Sequence, residues 1–414
     1  MILAIARTYF FYFARIAMSL AILPILSHGL GAEGFGIALV VQSLGLFGSL
    51  IVQFGFHSSA ARAISLADAT QERDAVIARV LGAQLLLALG TAVLIGAAAW
   101  ATPIFGHSPW AVASAIAFAL GTGLIPAWYF RGTERAATGI ALEVAGQVVA
   151  LTILVAAVRT PDDVGLALMA MAVAPVISAL AGLAWMLAER GKLAPMRPGP
   201  VFLTIHQGLP LFLVRASSSG FTFGSVWLVG LMASAEDAAY FGVAAKLVQA
   251  FTTLSQPITF SLMPHIAKAA AASLGEAMAA ALKWSGALLA LAVLAAMFIT
   301  VFAEPLIALV FAPDMAPAAA MTKVFAWVCV LAALREGQGE LFLVPLHHDR
   351  SVAASVMLGG AAGLVAALWL VPHFGGNGMV MARLIGETAI SLAMALAIAR
   401  LLRGADRAAP FTRT

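Results

Sequence analysis

The chain has 414 residues, of which 62% are hydrophobic and 10% are charged, and its mean hydropathy is +1.00. Soluble domains carry about 25% charged residues, so this composition excludes an ordinary soluble protein, a disordered chain and a coiled coil. Cys329 is the single cysteine and no paired Cys/His spacing occurs, which excludes a disulfide framework and gives no indication of zinc. The sequence therefore predicts an all-α polytopic membrane protein.

Twelve apolar segments follow one another along the chain, and each is long enough to cross a bilayer as a helix of about 20 residues. They lie near 8–27, 36–57, 80–100, 110–130, 139–158, 164–187, 207–232, 239–265, 284–303, 317–345, 352–371 and 378–401. Turn-forming residues separate them, namely Gly29, Gly31, Pro103, Gly132, Pro161, Pro372, Gly375 and Gly376. Twelve crossings leave no room for a soluble domain.

The basic residues predict the orientation of these spans. If the N-terminus is cytoplasmic, sixteen of the 23 Lys and Arg residues lie in cytoplasmic segments, Arg159 alone lies on the opposite side, and six lie within spans. Cytoplasmic loops of membrane proteins carry an excess of Lys and Arg. We therefore expect both termini to be cytoplasmic.

A Pro-rich segment divides the chain into two halves with six spans each. We predict an N-terminal lobe over 1–187, a cytoplasmic linker over 188–206, a C-terminal lobe over 207–401 and a cytoplasmic tail over 402–414. Phe35-Gly36 recurs as Phe241-Gly242 at an offset of 206 residues. Because six is even, both halves enter the membrane in the same direction, and a pseudo-two-fold axis along the membrane normal would relate them.

Six basic residues lie within the predicted spans: Arg15, Arg215, Lys246, Lys323, Arg335 and Arg383. Each would cost about 3 kcal/mol at the bilayer centre, so each is expected to meet water, an acid or an anion. Arg335 lies next to Glu336, and Arg383 lies four residues before Glu387, so these two arginines are equally compatible with internal ion pairs and with ligand contacts. Lys323 lies near a span end and can extend to the interface.

Polar side chains recur at helical spacing in spans one, two, seven and eight. They are Tyr12, Ser19, Gln42, Ser49, Gln53, Ser218, Ser219, Thr222, Gln249, Thr253 and Gln256. Ser and Thr in membrane helices often only bond their own backbone, and that reading stays open for each of them. The simplest arrangement places the four polar faces around one wet cationic cavity.

Motifs of enzymes are absent from the sequence. No phosphate-binding loop, serine elbow or zinc-binding helix occurs, and the outer loops, at roughly 5–14 residues between the predicted spans, are too short for a catalytic domain. We therefore expect a transporter rather than an enzyme, with no cofactor, no metal and no nucleic-acid partner.

Short motifs recur at the span ends. They are Leu30-Gly31, Glu33, Phe35-Gly36, Gly55, Arg62, Trp128, Phe130, Gly132, Glu134, Tyr240-Phe241-Gly242, Lys246 and Met263-Pro264. Together with the topology they resemble the polysaccharide-export flippases of the multidrug/oligosaccharidyl-lipid/polysaccharide exporter superfamily, which translocate O-antigen and exopolysaccharide repeat units. The resemblance implies two six-helix lobes around a central cavity and export of an undecaprenyl-pyrophosphate-linked oligosaccharide in the bacterial inner membrane.

The resemblance also implies roles for the basic residues. Arg15, Arg215 and Lys246 match the kind of position that meets the pyrophosphate, and the wider cationic cavity would include Arg335 and Arg383. Membrane lipids and the polysaccharide polymerase machinery are the expected partners besides the substrate. The sequence leaves open whether an ion is coupled to transport, and the candidate residues for such coupling are Glu336, Glu340 and Glu387.

Two other functions remain open at the level of sequence. A cation-coupled multidrug exporter of the same superfamily would need an acidic cavity, and the N-terminal half has no carboxylate deep within a span. A membrane enzyme or scaffold in polymer assembly would need no transport at all.

Overall fold

The computed structural model describes residues 2–67, 69–190 and 195–408, without some side chains near both ends and between 214 and 277. Within these ranges the chain forms α-helices with short connections, some of which are 3₁₀ or π turns. They are α1 (Ile2–Gln53), α2 (Phe56–Leu66), α3 (Thr70–Trp100), α4 (Pro109–Leu124), α5 (Ala127–Gly132), α6 (Ala136–Ala157), α7 (Val164–Arg190), α8 (Pro198–Met232), α9 (Ala235–Ala272), α10 (Leu274–Val310), α11 (Ala318–Phe325), α12 (Val328–Gln338) and α13 (Asp349–Ala408). The prediction of an all-helical chain is confirmed for the described residues.

Two of the helices are interrupted by a glycine. The 52-residue α1 has non-helical backbone at Gly31 (φ 67°, ψ 179°), and the 60-residue α13 has it at Gly375 (φ 55°, ψ −134°). Both glycines occupy conformations that other residues avoid, because a Cβ atom would clash with the backbone. The predicted breaks at these two glycines are confirmed.

Eight helical segments of the described chain are long and apolar enough to cross a membrane. Two of them, Arg7–Leu66 and Asp349–Arg403, contain 60 and 55 residues. Since about 20 residues cross the hydrocarbon core, each of these two segments is long enough for two crossings. The polytopic character predicted from composition is therefore confirmed.

The chain groups into two compact units. Of the described residues, unit 1 contains those up to Ala239 and the short segment Val310–Met315, and unit 2 contains Tyr240–Leu309 and those from Ala316 onward. In unit 1, α1 packs against α4, α6 and α8, and α4 packs against α3 and α7. In unit 2, α13 packs against α11 and α12.

The segment Val310–Met315 is held in unit 1 by specific contacts. The Asp314 carboxylate accepts a hydrogen bond from the Ala32 backbone N–H at 2.6 Å, next to the break at Gly31. The Ala312 N–H donates to the buried Ser27 hydroxyl at 3.4 Å, and the Phe311 ring lies 6.4 Å from that of Phe35. This segment thus completes the packing around the first half of the chain.

Helix α8 differs from the linker prediction in where it begins. It starts at Pro198, inside the predicted linker 188–206, while α7 continues to Arg190. Proline is well tolerated in the first turn of a helix, where its missing N–H would have no partner within the helix. The boundaries 187 and 207 between the lobes stay a prediction, and α8 groups with unit 1.

The interior of unit 1 is aromatic at one end. Trp128, Tyr129 and Phe130 are almost fully buried in one cluster, where the Trp128 indole N–H donates to Gln84 Oε1 at 3.0 Å.

On the outside of unit 1, Leu89 and Val93 of α3 are 71% and 72% exposed. Apolar side chains this exposed fit a lipid-facing helix surface, where no hydrophobic penalty arises.

Candidate functional site

A cluster of basic side chains from four helices, with a carboxylate from a fifth, lies within unit 1. Arg15 of α1 forms an ion pair with Glu143 of α6, with Nη1 and Oε2 at 2.8 Å. The Tyr12 ring lies 5.3 Å from the Arg15 guanidinium, in cation–π range. The side chains of Arg15 and Glu143 retain 34% and 19% of their exposure, so solvent still reaches the pair.

Arg215 of α8 meets the end of α1. Its Nη2 donates to Gln53 Oε1 at 3.3 Å, and the Gln53 amide donates in turn to the Thr122 carbonyl at 3.4 Å. Gln53 was predicted from its position on a polar face, and Arg215 from its cost within a span. The structure brings these two predicted residues together.

Two members of the cluster were not among the predicted site residues. His57 of α2 interacts electrostatically with Arg131, Arg215 and Arg15, and Arg131 of α5 interacts with Glu143, Arg15 and Arg215. Arg131 directly follows the predicted span 110–130, so it counts among the basic residues of the cytoplasmic segments. The signal available was its place after the aromatic run 128–130, whose burial holds α5 in the fold.

The other predicted polar residues of unit 1 have different surroundings. Ser49 is buried and donates to the carbonyl of Leu46 in its own helix, which is the purely structural role left open above. Four of the other side chains are partly buried, namely Ser19, Gln42, Ser219 and Thr222. The side chain of Ser218 lies outside the part of the chain that the structure describes.

Lys246 and the remaining residues of span eight belong to unit 2. Lys246 of α9 is partly buried, and no carboxylate among the described residues pairs with it. Gln249 is exposed, and the side chains of Thr253 and Gln256 lie outside the description. The convergence of Lys246 with Arg15 and Arg215 stays a prediction.

Unit 2 contains two arginines that share one carboxylate. Arg335 Nε donates to Glu387 Oε2 at 3.1 Å, and Arg383 Nη2 lies 3.7 Å from Glu387 Oε1. The side chain of Glu387 is 11% exposed, so the contacts are largely shielded from water. Of the two readings that the sequence left open for these arginines, the geometry favours internal ion pairs.

The other carboxylates predicted for ion coupling lie close to Arg335 in the sequence, in α12 and in the π turn that follows it. Glu336 accepts a hydrogen bond from the Thr259 hydroxyl at 3.3 Å, and Glu340 is partly buried in the π turn Gly339–Leu343. Within the described residues no group of three or more His, Cys, Asp or Glu side chains could hold a metal ion. A coupling role for these glutamates stays a prediction.

The two ion-pair sites differ in how easily they can be opened. A partly exposed pair such as Arg15 and Glu143 adds only about 0–1 kcal/mol to stability. Removing one partner of a buried pair, in contrast, costs about 3–5 kcal/mol, because the other charge stays buried. Glu387 contacts both Arg335 and Arg383, whereas Glu143 contacts Arg15, so a ligand that displaces Glu143 has fewer contacts to replace.

The sequence matches known proteins along most of its length. The family profile described as "polysaccharide biosynthesis protein" matches residues 8–270. A Shigella dysenteriae protein with the provisional name O-antigen transporter is 24% identical over 91% of this chain and 94% of its own. An Escherichia coli K12 protein of the same provisional name is 22% identical over 59% of both chains.

Solved structures share the fold at low sequence identity. The lipid II flippase MurJ, in an inward closed conformation, matches with a TM-score of 0.74 at 9% identity over 96% of this chain and 87% of its own. An inward-facing multidrug resistance MATE family transporter of the MOP superfamily matches with a TM-score of 0.73 at 14% identity over 94% and 95%. At these identities the likeness concerns the fold alone.

Proposed function

The chain belongs to the polysaccharide biosynthesis protein family, and from that premise we propose that it is a flippase for an undecaprenyl-pyrophosphate-linked oligosaccharide. The substrate would move from the cytoplasmic to the outer leaflet, without any chemical change. The provisional names of the two relatives support the substrate class, and the basic cluster of unit 1 is the observation that carries the proposal.

The chemistry of the substrate explains why such a cluster is needed. The pyrophosphate diester carries two negative charges, and the glycan cannot enter hydrocarbon, so the head group needs a wet path lined by cations. Arg15 and Arg215 can replace lost hydration through charge-assisted hydrogen bonds, which are stronger than neutral ones. An interior-negative potential assists export, by roughly 4.6 kcal/mol for two charges at 100 mV.

The topology that we propose has twelve crossings in two six-helix lobes, with both termini in the cytoplasm. The two long segments Arg7–Leu66 and Asp349–Arg403 would each cross twice, and α8 and α9 would add one crossing each. The lobes would rock about the head group while the polyprenyl tail stays in lipid. Lys246 would add to the cationic lining in the C-terminal lobe, while Arg335 and Arg383 stay paired with Glu387.

The test is alanine substitution of Arg15, Arg215 and Lys246, singly, in purified protein reconstituted into liposomes. Each variant should be purified from membranes at the normal level. In liposomes each should translocate fluorescent lipid-linked oligosaccharide at least tenfold more slowly, since loss of a charge-assisted contact costs about 1.5–3 kcal/mol. Lys323→Ala is the matched control, because Lys323 pairs with the exposed Glu304 at 2.6 Å. Undiminished translocation in all three variants would contradict the proposal.

The alternative of a cation-coupled multidrug exporter calls for a carboxylate that is free to bind a cation. The contacts of Glu387 with Arg335 and Arg383 argue against that use of it. Drug resistance on overexpression that disappears with Glu336→Gln would favour the alternative instead.

A further inference from the structure

The ion pair between Arg15 and Glu143 has the properties of an exchangeable contact. The two side chains meet through a single hydrogen bond of 2.8 Å, and both remain partly exposed. Glu387 in unit 2 is held differently, since it is 11% exposed and contacts two guanidiniums. To leave its arginine, Glu143 gives up one guanidinium contact, whereas Glu387 holds two.

Glu143 presents an anionic group to Arg15. Its carboxylate accepts a hydrogen bond from Arg15 Nη1 at 2.8 Å, and the Tyr12 ring lies 5.3 Å from the same guanidinium. A carboxylate and a phosphate group offer a guanidinium the same kind of acceptor oxygens. Glu143 and a phosphate group therefore compete for the same donor on Arg15.

We propose that Glu143 is a built-in competitor of the diphosphate head group for Arg15. This inference rests on the proposed function. In the empty protein Glu143 holds Arg15. When the substrate enters, diphosphate oxygens replace the carboxylate on Arg15, and on release Glu143 takes Arg15 back. Glu143 thus weakens binding and speeds release, which a transporter needs in order to turn over.

The experiment measures binding of farnesyl diphosphate to the full-length protein in phosphatidylcholine nanodiscs by calorimetry. Glu143→Gln should bind at least fivefold more tightly than the unmodified protein, which is the low end of typical coupling between sites. The Glu143→Gln variant should also translocate labelled lipid-linked oligosaccharide more slowly, because release is delayed. A residue that only stabilised the fold would not give tighter binding together with slower turnover.

Two further variants serve as controls. Glu304→Gln removes the same charge from another ion pair, in unit 2, and should leave the affinity unchanged. Glu143→Asp keeps the competing charge and should bind like the unmodified protein. If Glu143→Gln is not recovered in folded form, Glu143→Ala replaces it in the same comparison.

The outcomes separate this inference from the proposed function. Unchanged or weaker binding by Glu143→Gln, while the unmodified protein binds and Arg15→Ala does not, overturns the competitor and leaves the flippase proposal intact. No binding of farnesyl diphosphate by any variant overturns both. Farnesol that binds as tightly as farnesyl diphosphate would show that the diphosphate is not recognised. Binding of inorganic pyrophosphate without binding of farnesyl diphosphate would overturn a site for a lipid-linked diphosphate.

Discussion

Gln84 links two buried groups in the interior of unit 1. Its side-chain oxygen accepts the Trp128 indole N–H at 3.0 Å, and its amide nitrogen donates to the Gly123 carbonyl at 3.1 Å. Gln84 is 1% exposed and Trp128 is 2% exposed, so neither partner can turn to water instead. Two polar groups of the neighbouring helices thus depend on one side chain.

Replacing Gln84 with alanine should destabilise the protein by about 1–3 kcal/mol, because the indole N–H and the carbonyl are left buried without partners. The midpoint of thermal unfolding in detergent, followed by intrinsic fluorescence, should fall by a few degrees. Thr152→Ala is the control, because the Thr152 hydroxyl bonds only its own helix and is exposed. An equal midpoint for both variants would show that Gln84 is not needed for this packing.

The sequence predicted some of the residues of the cluster and not others, for a physical reason. Arg15 and Arg215 are conspicuous because a charge in an apolar span is costly wherever it points. Glu143 is not, since it lies near a span end and its partner is 128 residues away in the chain. Which partner a polar group finds depends on helix packing, and helical periodicity describes only one helix at a time.

At the level of elements, the glycine in the middle of α1 determines how the two halves of that helix are connected. Gly31→Ala should destabilise the protein by about 1–3 kcal/mol, because φ of 67° with ψ of 179° strains any residue that has a Cβ. The added Cβ would also lie 3.3 Å from Asp314 Oδ2. The thermal midpoint in detergent again provides the measurement.

The matched control for this variant is Gly90→Ala in α3. A Cβ at Gly90 meets no atom within 4 Å, and alanine is favoured over glycine within a helix by about 1 kcal/mol. We therefore expect Gly90→Ala to be neutral or stabilising. If both substitutions behave alike, the backbone at Gly31 has no special requirement.

Close packing explains another pair of motif residues at this scale. Phe35 is fully buried, and a Cβ at Gly36 would overlap the backbone carbonyl of Ala235. Phe241, the counterpart of Phe35 in the second half, is also fully buried. The repeated Phe-Gly pair was visible in the sequence, but its role in packing was not, because two residues do not indicate what they pack against.

For the whole molecule, the distribution of positive charge predicts which ends of the helices face the cytoplasm. Cys329 is 2% exposed, so the variant Cys329→Ala provides a background without reactive thiols. A cysteine placed at Arg159 should react with a membrane-impermeant maleimide in right-side-out vesicles, and one placed at Arg62 only in inside-out vesicles. Both side chains are exposed. The reverse labelling pattern would invert the orientation.

Composition was sufficient to predict an all-helical polytopic membrane protein, because 62% hydrophobic residues cannot be hidden in a soluble interior of this size. Composition did not predict which helices belong to which unit. Helix α8 groups with unit 1, as does Val310–Met315, and both assignments depend on contacts between residues far apart in the chain. Hydropathy gives the lengths and ends of helices, and it carries no information on such pairings.

The placement of Val310–Met315 affects any attempt to divide this protein. The chain leaves unit 1 after Ala239, returns for these few residues and leaves again, so no single cut separates the units. A recombinant fragment ending near residue 239 would lack the carboxylate that bonds the Ala32 N–H and the aromatic ring beside Phe35. Co-expression of two pieces, or a synthetic peptide of these six residues supplied in trans, would be needed to restore these contacts.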